Sequence, residues 1–153
     1  MRILALDLAR STGWAVGDRK TIISGTRRFN EADFGDLAVN YKLWLEGLID
    51  EHKPDLVAYE SPVVKHPHAA KILVGLSWLV IIVCKERNVP YVSVPNTSVK
   101  KFFCGKIYGK TTKPYPGIVE ARRRGFDPQT TDEADAIAIL LYVRDKGTDE
   151  SGS

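Results

Sequence analysis

Long apolar runs, a cysteine framework, repeats and a strong net charge are all missing from this sequence of 153 residues. Cys84 lies in an apolar run and Cys104 follows Phe102 and Phe103, so the two read as reduced thiols of a cytoplasmic protein. A small disulfide-stapled scaffold is thereby excluded. The longest apolar stretch, residues 72–83, is broken by Gly75 and Ser77 and falls short of the roughly 20 residues a bilayer requires, so no membrane partner is expected. The N-terminal apolar stretch ends at Asp7, and no signal peptide is expected. Hydrophobic residues at 44% and charged residues at 27% match an ordinary globular chain and exclude wholesale disorder. The length suits one domain, expected over residues 1–146, with 147–153 as a flexible tail.

The net charge of +3 conceals an uneven distribution. Residues 98–124 hold eight bases (Lys100, Lys101, Lys106, Lys110, Lys113, Arg122, Arg123, Arg124) and one acid, Glu120. That segment carries +7, which leaves −4 for the rest of the chain. Phe102, Phe103, Tyr108 and Tyr115 are interleaved with the bases, a combination that suits nucleic acid. A solvated, lysine-rich loop and helix would show the same composition.

Hydrophobic periodicity gives a coarse order of elements. Strands are expected at 2–8, 12–16 and 21–29, the last two joined by a turn at Gly17-Asp18-Arg19-Lys20. A helix follows at 33–52, a buried strand at 56–59, a second helix at 68–87 and a strand at 90–94. Short helices at 97–103 and 118–124 precede a final helix at 131–146. The order β-β-β-α-β-α-β-α-α-α predicts an α/β fold, with an antiparallel edge, helices on both faces and the two later strands beside the first. Ligands of such sheets gather at the carboxyl ends of the strands.

Acids fall at those ends. Asp7 closes the apolar Ile3-Leu4-Ala5-Leu6, and Glu60 closes Leu56-Val57-Ala58-Tyr59. Either alone suits a helix cap or turn, but two carboxylates ending buried strands require cationic company. Near the last helix, Thr130 and Glu133 fit a capping box, the plainer reading of Glu133. Asp132 and Asp135, three apart, share a helix face. Convergence of these four acids calls for a divalent cation, and an all-oxygen donor set favours Mg²⁺ or Mn²⁺. Two such ions about 4 Å apart suit phosphodiester cleavage. His66 and His68 form an H-x-H pair that fits plain surface better than a metal site.

These pieces resemble the RuvC-type Holliday junction resolvases of the RNase H-like nuclease superfamily. The resemblance rests on Leu4-Ala5-Leu6-Asp7 with Ser11-Thr12-Gly13-Trp14-Ala15-Val16, on Val57-Ala58-Tyr59-Glu60, on Val99-Lys100 with Gly105, and on Asp132-Glu133-Ala134-Asp135-Ala136-Ile137-Ala138. It implies an RNase H-like mixed sheet of five strands and a Mg²⁺-dependent endonuclease with two ions per site, Mn²⁺ substituting. The expected reaction is paired cleavage of four-way junctions, leaving 5′-phosphate and 3′-hydroxyl ends. By position it makes Asp7, Glu60, Asp132 and Asp135 the metal-binding catalytic acids. Lys100 and either Lys113 or Lys110 become the lysines near the cleaved phosphate, with Lys113 taken as the second. DNA contacts are expected from Lys100, Lys101, Lys106, Lys110, Lys113, Arg122 and Arg123. Two departures stand out: Asp7-Leu8-Ala9 replaces the family's Asp-Pro-Gly, and the loop after Glu60 lacks its aromatic residue. The alternatives are an RNase H-like nuclease acting on RNA–DNA hybrids or flap DNA, and a non-catalytic DNA-binding module.

The helix at 68–87 is apolar on nearly every side, so more than one of its faces requires covering. A homodimer through this helix is expected, which also matches the two-fold symmetry of a four-way junction. Cover from the C-terminal helix within one monomer is the alternative.

Overall fold

The structure, a computed structural model, describes residues 1–62 and 67–146. His66 and the expected tail at 147–153 lie outside them. Three strands open the chain: β1 (Ile3–Asp7), β2 (Ser11–Gly17) and β3 (Ile22–Arg28). Then come α1 (Phe34–His52), β4 (Leu56–Glu60), α2 (Pro67–Arg87), β5 (Tyr91–Val94), α3 (Asn96–Cys104), α4 (Pro116–Arg123) and α5 (Thr131–Lys146). The β2–β3 turn forms because the Asp18 carboxylate accepts the Lys20 and Thr21 amides at 2.8 and 3.1 Å. At the start of α1, Asp33 accepts the Asp36 amide at 3.0 Å as its N-cap.

The strands form one mixed sheet in the order β3-β2-β1-β4-β5, antiparallel across β1–β2–β3 and parallel across β1–β4–β5. Only one of the two later strands therefore lies beside β1, contrary to expectation. The meander already occupies the other flank of β1, so β5 adds outside β4. β1 is buried at all five positions, as a central strand covered on both faces must be. Its alternate side chains serve different layers: Ile3 and Ala5 pack with α3, α4 and α5, and Leu4 and Leu6 with α1 and α2.

The helix covered on more than one side is α5. Ala134 and the whole run 136–143 are buried, because the sheet lies beneath α5 and α3 and α4 lie over it. By contrast α2 buries Leu76, Val80, Val83 and Cys84 while leaving Val74, Trp78 and Ile82 exposed. Since α5 occupies the opposite sheet face, it cannot cover α2. At 21 residues and mean hydropathy 1.8, α2 is long and apolar enough to cross a membrane by length and composition alone, although the apolar run within it is shorter.

The aromatics of the basic segment belong to packing. Phe103, Tyr108 and Tyr115 are buried, and Phe102 meets Tyr142 edge-on at 5.5 Å. These four rings are not a stacking surface for bases, as their interleaving suggested.

Candidate active site

Strand alternation puts Asp7 on the same face as Ile3 and Ala5, beneath the N-terminal half of α5. Leu6 pairs with Tyr59 in the parallel register, so Asp7 and Glu60 are the next residues on neighbouring strands. The meander supplies the clearance above them. Gly13 pairs with Asp7, and a Cβ at Gly13 would lie 1.8 Å from the Asp132 carbonyl oxygen. Only glycine lets α5 approach this closely.

The start of α5 is bolted to the outer strand. The Thr26 and Thr130 hydroxyls meet at 2.6 Å, and Thr130 Oγ1 accepts the Glu133 amide at 3.0 Å. Glu133 accepts the Gln129 amide at 2.9 Å and the Ser24 hydroxyl at 2.7 Å. Its carboxylate is thus engaged in capping and in the contact with β3. Asp132 and Asp135, one turn apart, share a cation: Lys110 Nζ lies 3.2 Å from Asp132 Oδ1, 3.2 Å from Asp135 Oδ2 and 3.7 Å from Asp7 Oδ2. Glu60 stands at the same end, its Oε1 accepting Asn96 Nδ2 at 2.6 Å.

This is a crowded electrostatic site. Burial raises the Asp7 carboxyl well above the ordinary carboxylate value, Asp135, Glu60 and Asp132 add to the rise, and Lys110 opposes it. Burial also raises Asp135 and Glu60, against the pull of Lys110 on the first and the Asn96 hydrogen bond on the second. Burial alone would lower the Lys110 ammonium, but the charges of Asp7, Asp135 and Asp132 outweigh it and hold the group well above its usual range. Asp7, only 6% exposed, keeps a buried Oδ2 with no hydrogen-bond donor among the described residues. An orphaned carboxylate oxygen beside three other acids fits a divalent cation. Among the described residues no three His, Cys, Asp or Glu side chains already stand in a metal-binding arrangement, and the Lys110 ammonium lies among the acids instead. A cleft of about 290 Å³ opens beside the acids, walled by Leu8, Glu60, Pro62, Leu73, Asn96, Lys100 and Lys110.

The four expected acids therefore face one locality, and the second lysine beside them is Lys110. Lys113 is exposed, and among the described residues Lys110 rather than Lys113 pairs with the acids. Lys100 sits on the cleft wall, its Nζ donating to the Tyr108 carbonyl at 2.6 Å and lying 4.7 Å from the Tyr108 ring centroid. Lys101 and Lys106 are exposed. Arg122 pairs with Asp127 at 3.4 Å, and Arg123 and Arg124 both grip Glu120. Glu120 is already counted in the +7, so among the described residues the charges drawn to acids outside the segment are those of Lys110 and Arg122. His68 packs near Phe34, with ring centroids 5.9 Å apart.

Sequence reasoning missed three features here. Asn96 and Tyr115 are neutral, and nothing in their spacing marks them. The third is a basic flank across the sheet. Arg28 pairs with Ser11, two residues past the Asp7–Gly13–Thr26 row. Strand alternation puts it on the Thr26 face, the face of the acids. Arg10 is its neighbour at that end, whereas the same alternation turns Arg27 to the opposite face, its guanidinium 5.1 Å from the Phe29 ring centroid.

No family model matches the chain. The crossover junction endodeoxyribonuclease RuvC of Streptomyces coelicolor is 28% identical over 114 residues, covering 72% of this chain. The match spans only 60% of that relative's length. Thermus thermophilus RuvC in complex with Holliday junction substrate superposes with a TM-score of 0.78 at 17% identity, over 99% of both chains. The chain is RuvC-like in sequence and in fold. The yeast mitochondrial Holliday junction resolvase Ydc2 superposes less closely, with a TM-score of 0.62 at 13% identity, covering 90% of this chain and 75% of that one. The mixed five-stranded sheet with helices on both faces is thus the one expected from the sequence, save for β5 lying outside β4.

Proposed function

We propose that residues 1–146 form one Mg²⁺-dependent nuclease domain that cuts four-way DNA junctions, working as a homodimer in the cytoplasm. The observation that carries this reading is the convergence of Asp7, Asp132 and Asp135 on one ammonium, with Asp7 Oδ2 buried and undonated. Asp7, Glu60, Asp132 and Asp135 would hold two divalent ions, with Mn²⁺ substituting for Mg²⁺. Ions bound there supply the Lewis acidity that activates a water and stabilises the leaving oxygen in phosphodiester hydrolysis. Lys110, once released from the acids, meets the charge of the scissile phosphate, and Lys100 reaches the same cleft. Attack of that water on phosphorus breaks the bond between phosphorus and the 3′ oxygen. The water's oxygen joins the phosphate, which stays on the 5′ side, and a proton goes to the departing 3′ oxygen, leaving 5′-phosphate and 3′-hydroxyl ends.

DNA arms would cross the acids between two basic flanks. Lys101, Lys106 and Lys113 belong to one and Arg10 and Arg28 to the other. Arg122 and Arg123 contribute less than their charge suggests, because Asp127 and Glu120 partner them. The apolar rows of α2 (Val74, Trp78, Ile82) and α1 (Val39, Leu43) border a groove lined by Phe34, Ala38, Ile72, Gly75 and Leu79. A second copy covering this face would place two active sites in one C₂ particle, as two symmetric cuts require.

The test is incubation with Mg²⁺ and labelled substrates: a four-way junction, a flap and an RNA–DNA hybrid. Paired nicks confined to the junction support the reading. Cleavage of hybrid or flap alone replaces the substrate, and binding without cleavage under Mg²⁺ and Mn²⁺ alike refutes the nuclease.

A further inference from the structure

Two of the four acids are gripped by neutral side chains. Tyr115 Oη donates to Asp135, 2.8 Å from Oδ1 and 3.0 Å from Oδ2, and Asn96 Nδ2 donates to Glu60 at 2.6 Å. Both donors come from elements whose placement is tightly set. β4 and β5 end in register, Glu60 opposite Val94, and the Ser61 amide donates to the Val94 carbonyl at 2.9 Å. Pro95 then turns the chain into α3, so its first residue, Asn96, stands against Glu60. Tyr115 precedes α4 and is itself buried, its ring edge-on to Tyr108 with centroids 5.3 Å apart. A Cβ at Gly117 would lie 2.9 Å from that ring, so glycine there gives the ring its seat. A ring wedged in this way can aim its hydroxyl in one direction only.

We propose that Tyr115 and Asn96 are positioning residues of the acid centre: they orient the Asp135 and Glu60 carboxylates for divalent cations. This rests on the reading of that centre as a cation site. A hydrogen bond from an uncharged donor favours the ionised, ligating carboxylate without adding a positive charge that would compete with the ion. Lys110 does the opposite, since its ammonium must give way before an ion enters. With Asp135 and Glu60 held in this way, the undonated Oδ2 of Asp7 lies 3.7 Å from the same ammonium that Asp135 holds at 3.2 Å. Neither Tyr115 nor Asn96 touches the reacting phosphate in this scheme.

The experiment titrates Mn²⁺ into wild-type protein, Tyr115→Phe and Asn96→Ala without DNA, following free Mn²⁺ by electron paramagnetic resonance. Melting temperature and junction affinity in chelator are measured alongside. Removal of an outer partner of this kind typically weakens metal binding 10–100-fold, and that loss is expected for each variant, with junction affinity in chelator kept within twofold. Tyr115→Phe retains the buried ring, so its fold should survive. If it melts far below wild type, Asn96→Ala, on a separate element, decides alone. Mn²⁺ affinity within twofold of wild type in the deciding variant overturns the positioning role. A wild-type protein that takes up no Mn²⁺ overturns the cation-site reading itself, a separate and recognisable failure.

Discussion

Replacing Asp7 with asparagine should make the metal-free protein more stable while abolishing cleavage. At an effective dielectric constant near 20, Lys110 at 3.7 Å attracts the Asp7 carboxylate by about 4 kcal/mol. That figure is to be discounted, because the Lys110 side chain is 58% exposed. Asp132 and Asp135 each have an oxygen 3.2 Å from the same ammonium, so those oxygens lie no more than about 7 Å from Asp7 Oδ2. Each then repels Asp7 by about 2 kcal/mol or more. Together the two offset the attraction, and the desolvation of Asp7 and the charge of Glu60 remain uncompensated. Asparagine keeps the shape and removes the charge, which relieves roughly 1–3 kcal/mol. For a chain of this size the melting temperature should rise by about 3–10 °C.

The pH dependence has a definite sign. A carboxyl raised by folding binds its proton more tightly in the native state, so its stability contribution is present below the ordinary carboxylate value. It is lost as pH rises from there through the raised native value. Scanning calorimetry in chelator from pH 5 to pH 8 should therefore show wild type losing ground to Asp7→Asn. Saturating Mn²⁺ should raise the wild-type melting temperature and leave the variant's nearly unchanged. A variant that melts at or below wild type throughout, with parallel pH curves, would falsify the electrostatic account of this site.

Gly13→Ala should cost about 3 kcal/mol and lower the melting temperature by roughly 10 °C, since its Cβ would collide with the Asp132 carbonyl. Lys110→Ala should slow junction cleavage 100-fold or more, while Lys113→Ala and Arg28→Ala mainly flatten the salt dependence of binding by about one unit each. Gel-shift titrations at several salt concentrations and single-turnover rates separate these effects. Trp78→Glu, introducing charge where a side chain is 58% exposed on α2, should convert a dimer to a species near 17.0 kDa in sedimentation equilibrium. A wild-type protein already at that mass ends the dimer proposal. Cys84, whose thiol burial pushes up to about 12, should resist alkylation far longer than the half-buried Cys104, as mass spectrometry would show.

Most of the fold was legible because its signals are local. Apolar strands ending in acids, the turn at Asp18 and the periodicity of 33–52 each declare themselves within a few residues. What periodicity could not tell was which apolar helix would be covered twice. Residues 67–87 look more apolar than residues 131–146, yet the latter lie between the sheet and two short helices. Covering is a property of the neighbours, and α3 and α4 carry too few apolar residues to announce that they form a layer. The strand order failed for a similar reason. Crossover handedness says nothing about whether β5 adds beside β1 or outside β4 once the meander has taken one flank.

The choice of lysine shows how a site escapes its spacing. The segment between Gly105 and Tyr115 is fastened at two points, where Lys100 holds the Tyr108 carbonyl and where Tyr115 holds Asp135. Lys110 follows the first anchor by two residues, and the second anchor lies on one of its own carboxylate partners, so it is held over the acids. A turn then closes from the Thr112 amide to the Gly109 carbonyl at 3.2 Å, and Lys113 emerges beyond it exposed. Counting residues from Lys100 cannot separate the two lysines, because the anchors are tyrosines whose packing in the core hides their part in the site. The same anchors tie the loop to the occupancy of the acid centre. On the proposed reading, an ion held by Asp7 and Asp135 would take the place of the Lys110 ammonium while Tyr115 kept its bond to Asp135, leaving that ammonium on the wall of the cleft to meet a phosphate.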